Sequence, residues 1–302
     1  MAAVEWDTAR VSKFFDYATE RQEIWHKRYV LKQPPPWTDD PALRQYHFCN
    51  AYRELDRGTI FCVKRVMGNA LLIDALPRIL FYRLLNSPTT YDLAAPYLEA
   101  TPFNWQALHA ALVTAKTSGQ ALFHVAYVTA ATGLKGDGTK LRAYCEGVSK
   151  AYEAREALVQ QLTAAGSFQV AWQAVRTLPW AGPFVAYQVV LDLALRYFNW
   201  NLNTWCYMGP GAVKGIKRLL PAVKATTYNA ATAVLWQNST TQLTQRNFKF
   251  LKHGGKIVPW TLQDCEFTLC EFNKYMRLET GGKRRLYQPQ GEKDEAKFYS
   301  AR

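Results

Sequence analysis

Apolar residues recur at three- and four-residue steps along most of this chain, and the strict alternation of a half-buried strand is sparse. That pattern restricts the fold class to all-α. The spacing predicts helices over about 7–31, 40–47, 48–67 and 68–86, the last broken at Pro77, and over about 104–116 and 119–129. Further helices are predicted over about 140–164, 167–177, 182–198 and 261–279, with 87–103 a connector holding a short helix and 132–139 a loop. With 49% hydrophobic residues among 302, the chain can bury a core. No apolar run approaches the roughly 20 residues that span a bilayer. The start, MAAVEWDTAR, lacks the basic-then-apolar plan of a signal peptide. These features predict a cytoplasmic protein with no membrane partner. The six cysteines are scattered without CxxC pairs or nearby histidine clusters, so reduced core thiols are expected, with no metal and no cofactor.

The formal charge of +13 is unevenly spread. Residues 1–100 hold 13 Lys/Arg against 12 Asp/Glu, residues 101–206 hold 8 against 5, and residues 207–302 hold 16 against 7. A basic final third points to a polyanionic partner, nucleic acid before an acidic membrane surface. Within it, Arg246, Lys249, Lys252 and Lys256 recur at three- and four-residue steps with Phe248 and Phe250 between them. They read either as a solvated helix face or as a stripe that tracks a duplex. Lys283, Arg284 and Arg285 follow two glycines as a basic tip suited to phosphates.

The stretch His47–Thr59, HFCNAYRELDRGT, is the hub of the reading. At helical spacing Phe48, Ala51, Tyr52 and Leu55 share one side, and Asn50, Arg53 and Arg57 nearly line up on the other, beside Glu54 and Asp56. An amide and two guanidiniums could then present one forked hydrogen-bonding surface, or simply a solvated face laced with ion pairs. Upstream lie Glu20-Arg21-Gln22 and then Pro34-Pro35-Pro36-Trp37-Thr38-Asp39-Asp40-Pro41, an extended arm leading to a helix cap.

Together ERQ, PPPWTDDP and FCNAYRELDR resemble the helical domain of phage-type 5-hydroxymethyldeoxyuridine DNA kinases, akin to the amino acid:DNA transferases also called alpha-glutamyl/putrescinyl-thymine pyrophosphorylases. The resemblance returns at Gly182-Pro183-Phe184, Ala186-Tyr187-Gln188 and Asp192, at Gly209-Pro210-Gly211-Ala212 with Gly215-Ile216, and at Leu269-Cys270-Glu271-Phe272 with Lys274-Tyr275. It spans most of residues 14–287, apart from about 100–175. It implies a helix-hairpin-helix DNA glycosylase-like bundle in one domain, with lobes at about 1–130 and 140–287 and a polar tail over 288–302. The kinases also carry a P-loop domain. The glycine-rich 132–139 stretch has neither the glycine spacing nor the Gly-Lys-Ser/Thr ending of one, so kinase activity is not carried over.

Leu178–Ala186 has the outline of a helix-hairpin-helix turn, with Trp180 where its first glycine is expected, and Met208–Arg218 forms a second such turn. Gly182, Gly209 and Gly211, with Lys214 and Lys217, are the candidates for holding DNA phosphate, alongside Lys249, Lys252 and the basic tip. The carboxylate that such glycosylases place about twenty residues after the hairpin is missing here, as Asn201, Leu202 and Asn203 occupy that region.

Asp56 and Asp192 remain as candidate catalytic carboxylates, with Asp40 and Glu271 behind them. Asp192 lies in a very apolar run, where the alternative is a structural ion pair with an arginine on a neighbouring helix. The function expected is N-glycosidic excision of a 5-substituted pyrimidine from double-stranded DNA by a monomeric enzyme, a chemistry suited to defence against phage. Trp37, Tyr52 or Tyr187 would stack on the everted base, and Asn50, Arg53 and Gln188 would read its edge. The family resemblance adds Glu271 and Lys274 to the pocket. An amino acid:DNA transferase, with Arg53, Arg57 and Lys274 on a leaving pyrophosphate, is the alternative, and a DNA-binding module without chemistry is a third.

Overall fold

A computed structural model describes residues 5–124, 137–279 and 281, and within the described part the chain is all-α apart from one two-residue-per-strand hairpin. The residues form two compact units. One joins residues 1–56 to 202–302 and the other holds 57–201. The division is thus nested in the sequence, whereas the expected lobes followed one another along it.

The first unit opens with α1 (Thr8–Trp25), capped by the Asp7 carboxylate on the Arg10 amide and running into a π-turn over His26–Val30. The proline arm follows, and Asp40 caps α2 (Pro41–Gln45), which has a proline in its first turn as the sequence predicts. The second unit comprises α3 (Arg57–Phe61), α4 (Leu72–Leu85), α5 (Pro88–Leu98), α6 (Trp105–Thr117), α7 (Asp137–Ala164), α8 (Phe168–Val175) and α9 (Pro183–Ala194). Pro77 does not break α4, which runs through it as one helix from Leu72 to Leu85. The chain then returns to the first unit with α10 (Pro210–Leu219), α11 (Tyr228–Gln237), α12 (Ser239–Gln245), the hairpin β1 (Lys252–His253) and β2 (Lys256–Ile257), and α13 (Leu262–Glu279). Of the helix predicted over 119–129, residues 118–124 are not helical and the rest lies outside the described residues, as do Lys283, Arg284, Arg285 and the tail.

In the first unit α13 is central. Phe272 meets Phe14 edge-on at 5.5 Å, and Tyr275 lies 4.9 Å from Tyr17. Glycines let α10 approach it closely. A Cβ on Gly215 would stand 2.2 Å from the Leu269 carbonyl oxygen, and one on Gly211 would stand 2.3 Å from the Cys270 sulfur. These two positions of the second glycine turn therefore serve helix packing.

The second unit is built around α4, whose buried Leu76, Ile79 and Leu80 share the interior with Val189, Val190 and Leu193 of α9. Trp180 stands where the hairpin pattern has glycine and adopts that residue's left-handed conformation, with φ +63. Its indole is seated against Gly147, where a Cβ would come within 2.5 Å of the ring.

Candidate functional site

Residues 47–56 are not α-helical, contrary to expectation, and the reason lies in where their backbone groups go. The Arg21 Nε donates to the Phe48 carbonyl at 3.2 Å, and the Trp260 indole N–H donates to the Ala51 carbonyl at 2.9 Å. The Cys49 amide donates to Glu271 at 3.2 Å and the Arg53 amide to Asp264 at 2.7 Å. The Asn50 side-chain amide donates to the Leu55 carbonyl at 2.6 Å, at the end of the short 3-10 turn over Arg53–Leu55. Side chains from α1, from α13 and from Trp260 just before it replace the partners that a helix would have supplied. Asn50, Arg53 and Arg57 consequently do not form one forked face. Asn50 and Arg53 are buried in the first unit, where the Arg53 guanidinium lies 5.2 Å from the Phe267 ring, and Arg57 begins the second.

Around this loop the resembling motifs of the first unit come together. Glu271, buried on α13, accepts from Cys49 with one oxygen and from the Lys274 ammonium with the other. The neighbouring Tyr275 hydroxyl donates to Asp40 at 2.6 Å, while the other Asp40 oxygen caps α2 by accepting from the Leu43 amide. The proline arm is thereby tied to α13. Burial pushes hardest, against the charge of Lys274, but Glu271, Cys270 and Cys49 together outweigh it, so the ammonium is held above its ordinary range. Burial, then the bond to Asp40, likewise raises the Tyr275 phenol. At neutral pH the site therefore presents a fixed cation, its side chain 40% exposed, and a neutral phenol. Such a lysine suits the binding of an anion or an electron-rich oxygen and is a poor proton acceptor.

Asp264 escaped the sequence reading. It sits three residues after Thr261, whose hydroxyl accepts from the Asp264 amide while the carboxylate accepts from the Thr261 amide and hydroxyl. That reciprocal cap at a Thr-x-x-Asp spacing was visible in the sequence. Burial pushes its carboxyl up to about 6, against the hydrogen bonds from Arg53 and Thr261.

Other expected site residues are placed differently. Tyr52 is a core post. Its hydroxyl donates to the Val258 carbonyl at 2.9 Å and accepts from the Leu251 amide at 3.3 Å, so it fastens both ends of the hairpin and offers no face to a base. Tyr187 is equally buried, edge-on to Phe168, and Gln188 is buried beside it. Asp192 is fully buried and receives both the Nε and an Nη of Arg83, at 2.5 and 2.6 Å, so the structural ion pair is its observed state. Asp56 is half-buried, and its amide closes the 3-10 turn.

The basic stripe is not a helix face. Gly254 and Gly255 take φ +55 and +78 and turn the hairpin, with Lys252 and Lys256 exposed on its two strands. Lys249 lies 3.9 Å from Glu23, and Arg246 is bound to Asp16 at 2.6 Å. Lys214 and Lys217 are exposed on α10, Gly209 is its buried N-cap, and Gly182 is the exposed N-cap of α9. Trp37 is half-buried on the arm, its ring 4.7 Å from the Arg28 guanidinium. The six cysteines are unbridged thiols, four of them buried.

The family model of the 5-hmdU DNA kinase helical domain matches residues 8–284, nearly the whole chain. The chain belongs to that family. A curated 5-hmdU DNA kinase from Bacillus phage SP10 is 29% identical over 228 residues, covering 68% of this chain and 35% of the relative. The chain thus spans about a third of the length of that relative. Both descriptions name a kinase, which is a transferase, and this overturns the expectation of an N-glycosylase, a hydrolase. No solved structure matches the chain significantly. Among the described residues, no helix is long and apolar enough to cross a membrane.

Proposed function

We propose that this chain is the DNA-handling part of a transferase that acts on a 5-substituted pyrimidine in DNA. The loop 48–56 and the Glu271–Lys274 pair would receive the substituent of that base. One observation carries the reading. Motif stretches far apart in the sequence, ERQ, PPPWTDDP, FCNAYRELDR and LCEFNKY, are bonded to one another around a cation that is held protonated.

In this reading Lys274 meets the oxygen of the 5-substituent, or the anionic group being transferred to it, and stabilises charge as it builds up. Glu271 fixes the lysine and, through the Cys49 amide, the loop beside it. Asp40 holds Tyr275 as a donor and keeps the arm at the edge of the site. No P-loop motif occurs in the 302 residues, and the role assigned here concerns the DNA side of the reaction.

The test compares short duplexes carrying either one 5-hydroxymethyluracil or a thymine at the same place, with and without γ-labelled ATP. The parent chain is expected to prefer the modified duplex. Lys274→Met is expected to lose that preference by roughly tenfold, as for one charge-assisted hydrogen bond. Equal affinity of the parent for both duplexes, together with no label transfer, would overturn the proposal.

A further inference from the structure

We infer that the arm over residues 26–37 grips the DNA strand beside the target nucleotide and inserts an aliphatic tip into its base stack. This rests on the reading above that the chain receives a base of DNA.

The arm is closed by hydrogen bonds of its own. The π-turn at the end of α1 is followed by Lys32 at φ +54, and the chain then folds back on itself. The Trp37 indole N–H donates to the Gln33 carbonyl at 2.7 Å, and the Lys27 ammonium to the Trp37 carbonyl at 3.2 Å. Arg28 lies over two rings, 4.7 Å from Trp37 and 5.0 Å from Tyr29. A guanidinium stacked in this way is held in place and keeps its positive charge beside the turn of the arm.

At the turn of the arm, Val30 and Leu31 are adjacent and 50% and 49% exposed. Residues 26–37 include Lys27, Arg28 and Lys32 and no carboxylate. Two neighbouring aliphatic side chains flanked by cations match a base step between phosphates. A short apolar wedge of this kind fills the space left when a nucleotide is turned out of the stack.

The location agrees. Asp40, three residues past Trp37, ties the arm to Tyr275 beside Lys274. One turn before it, the Gln22 side-chain amide donates to the Lys249 carbonyl, leading into the hairpin with exposed Lys252 and Lys256. An acidic membrane surface would also attract cations beside aliphatics, but the five-residue π-turn has no amphipathic helix to lay in it.

The test uses the full chain and a duplex in which 2-aminopurine adjoins a single 5-hydroxymethyluracil. The Val30→Ser/Leu31→Ser double variant alters only exposed side chains. It is expected to keep the parent's melting temperature and to bind DNA within a few-fold of the parent, yet to lose the fluorescence rise that reports unstacking. Lys32→Ala is expected to lower the slope of log affinity against log salt by about 0.9. If the parent binds and unstacks the duplex and all three substitutions leave both readouts unchanged, the arm inference is overturned and the proposed function stands. A parent chain that binds no DNA overturns both. Binding of the parent to vesicles of phosphatidylserine and phosphatidylcholine that is lost in the double variant, with DNA unstacking unaffected, would assign the arm to a membrane instead.

Discussion

The buried pair Arg83–Asp192 gives a sharp test of whether a carboxylate in an apolar run is chemistry or architecture. Arg83 is 1% exposed and Asp192 0%, and the guanidinium also donates to Asn86 at 3.0 Å and to Thr59 at 3.4 Å. Asp192→Asn keeps the shape and removes the charge, so it leaves Arg83 ionised and uncompensated in the core. Losing one member of such a pair costs about 3–5 kcal/mol. At about 2–4 °C per kcal/mol for a chain of this size class, the melting temperature should fall by roughly 6–20 °C. The double variant Arg83→Met/Asp192→Leu removes both charges and should recover most of that loss. Thermal and urea unfolding of the parent, Arg83→Met, Asp192→Leu and the double variant form a complete cycle, with Asp192→Asn measured beside it. If Asp192→Asn stays within about 1 kcal/mol of the parent and nonetheless abolishes action on DNA, the ion-pair reasoning is refuted and Asp192 is a reacting group.

Two further outcomes follow from the first unit. Gly215→Ala drives a Cβ into the Leu269 backbone, which cannot step aside, and should cost about 3 kcal/mol or more. Gly211→Ala meets only the Cys270 side chain, which can rotate, and should cost about 1 kcal/mol, both read from urea midpoints. Stable variants that had lost only DNA affinity would return these glycines to a phosphate role. Asp264 has a folded-state value of about 6, above its ordinary 3.8, so between those values the folded chain binds the extra proton. Its contribution is therefore largest below about pH 4 and is lost as pH rises towards 6, a fall on the order of 2–3 kcal/mol. Urea unfolding across that range should show the decline, and Asp264→Asn should flatten it.

The long helices were legible because each carries an apolar stripe that needs nothing but its own sequence. α6, α7, α8 and α13 fall close to where periodicity puts them, and Asp40 with Pro41 marks the start of α2. The reading failed where side chains distant in sequence decide the backbone. Phe48–Leu55 has helical spacing, yet Arg21, Trp260, Asp264 and Glu271 take its polar groups, and three of those four lie more than 200 residues away. The hairpin was a missed local signal, since Gly254-Gly255 between short runs is a turn that only such residues form readily. At the candidate site, the motifs pointed to stretches that are bonded together, because Glu271 accepts from the Cys49 amide of the loop and from Lys274. Single roles could not be read from it. Tyr52 and Tyr187 look like stacking residues as letters, and only burial shows that they are structural.

The nested order of the two units has a consequence for how the chain is made. The first 56 residues leave the ribosome carrying Phe14 and Tyr17, whose ring partners Phe272 and Tyr275 on α13 are more than 240 positions downstream. At about 5–20 residues per second, α1 waits roughly twelve to fifty seconds for them while the second unit can already form. During that interval its aromatic face is uncovered, so a nascent chain stalled before α13 is the form most prone to clump. A circular permutant that places α13 directly ahead of α1 would shorten that wait.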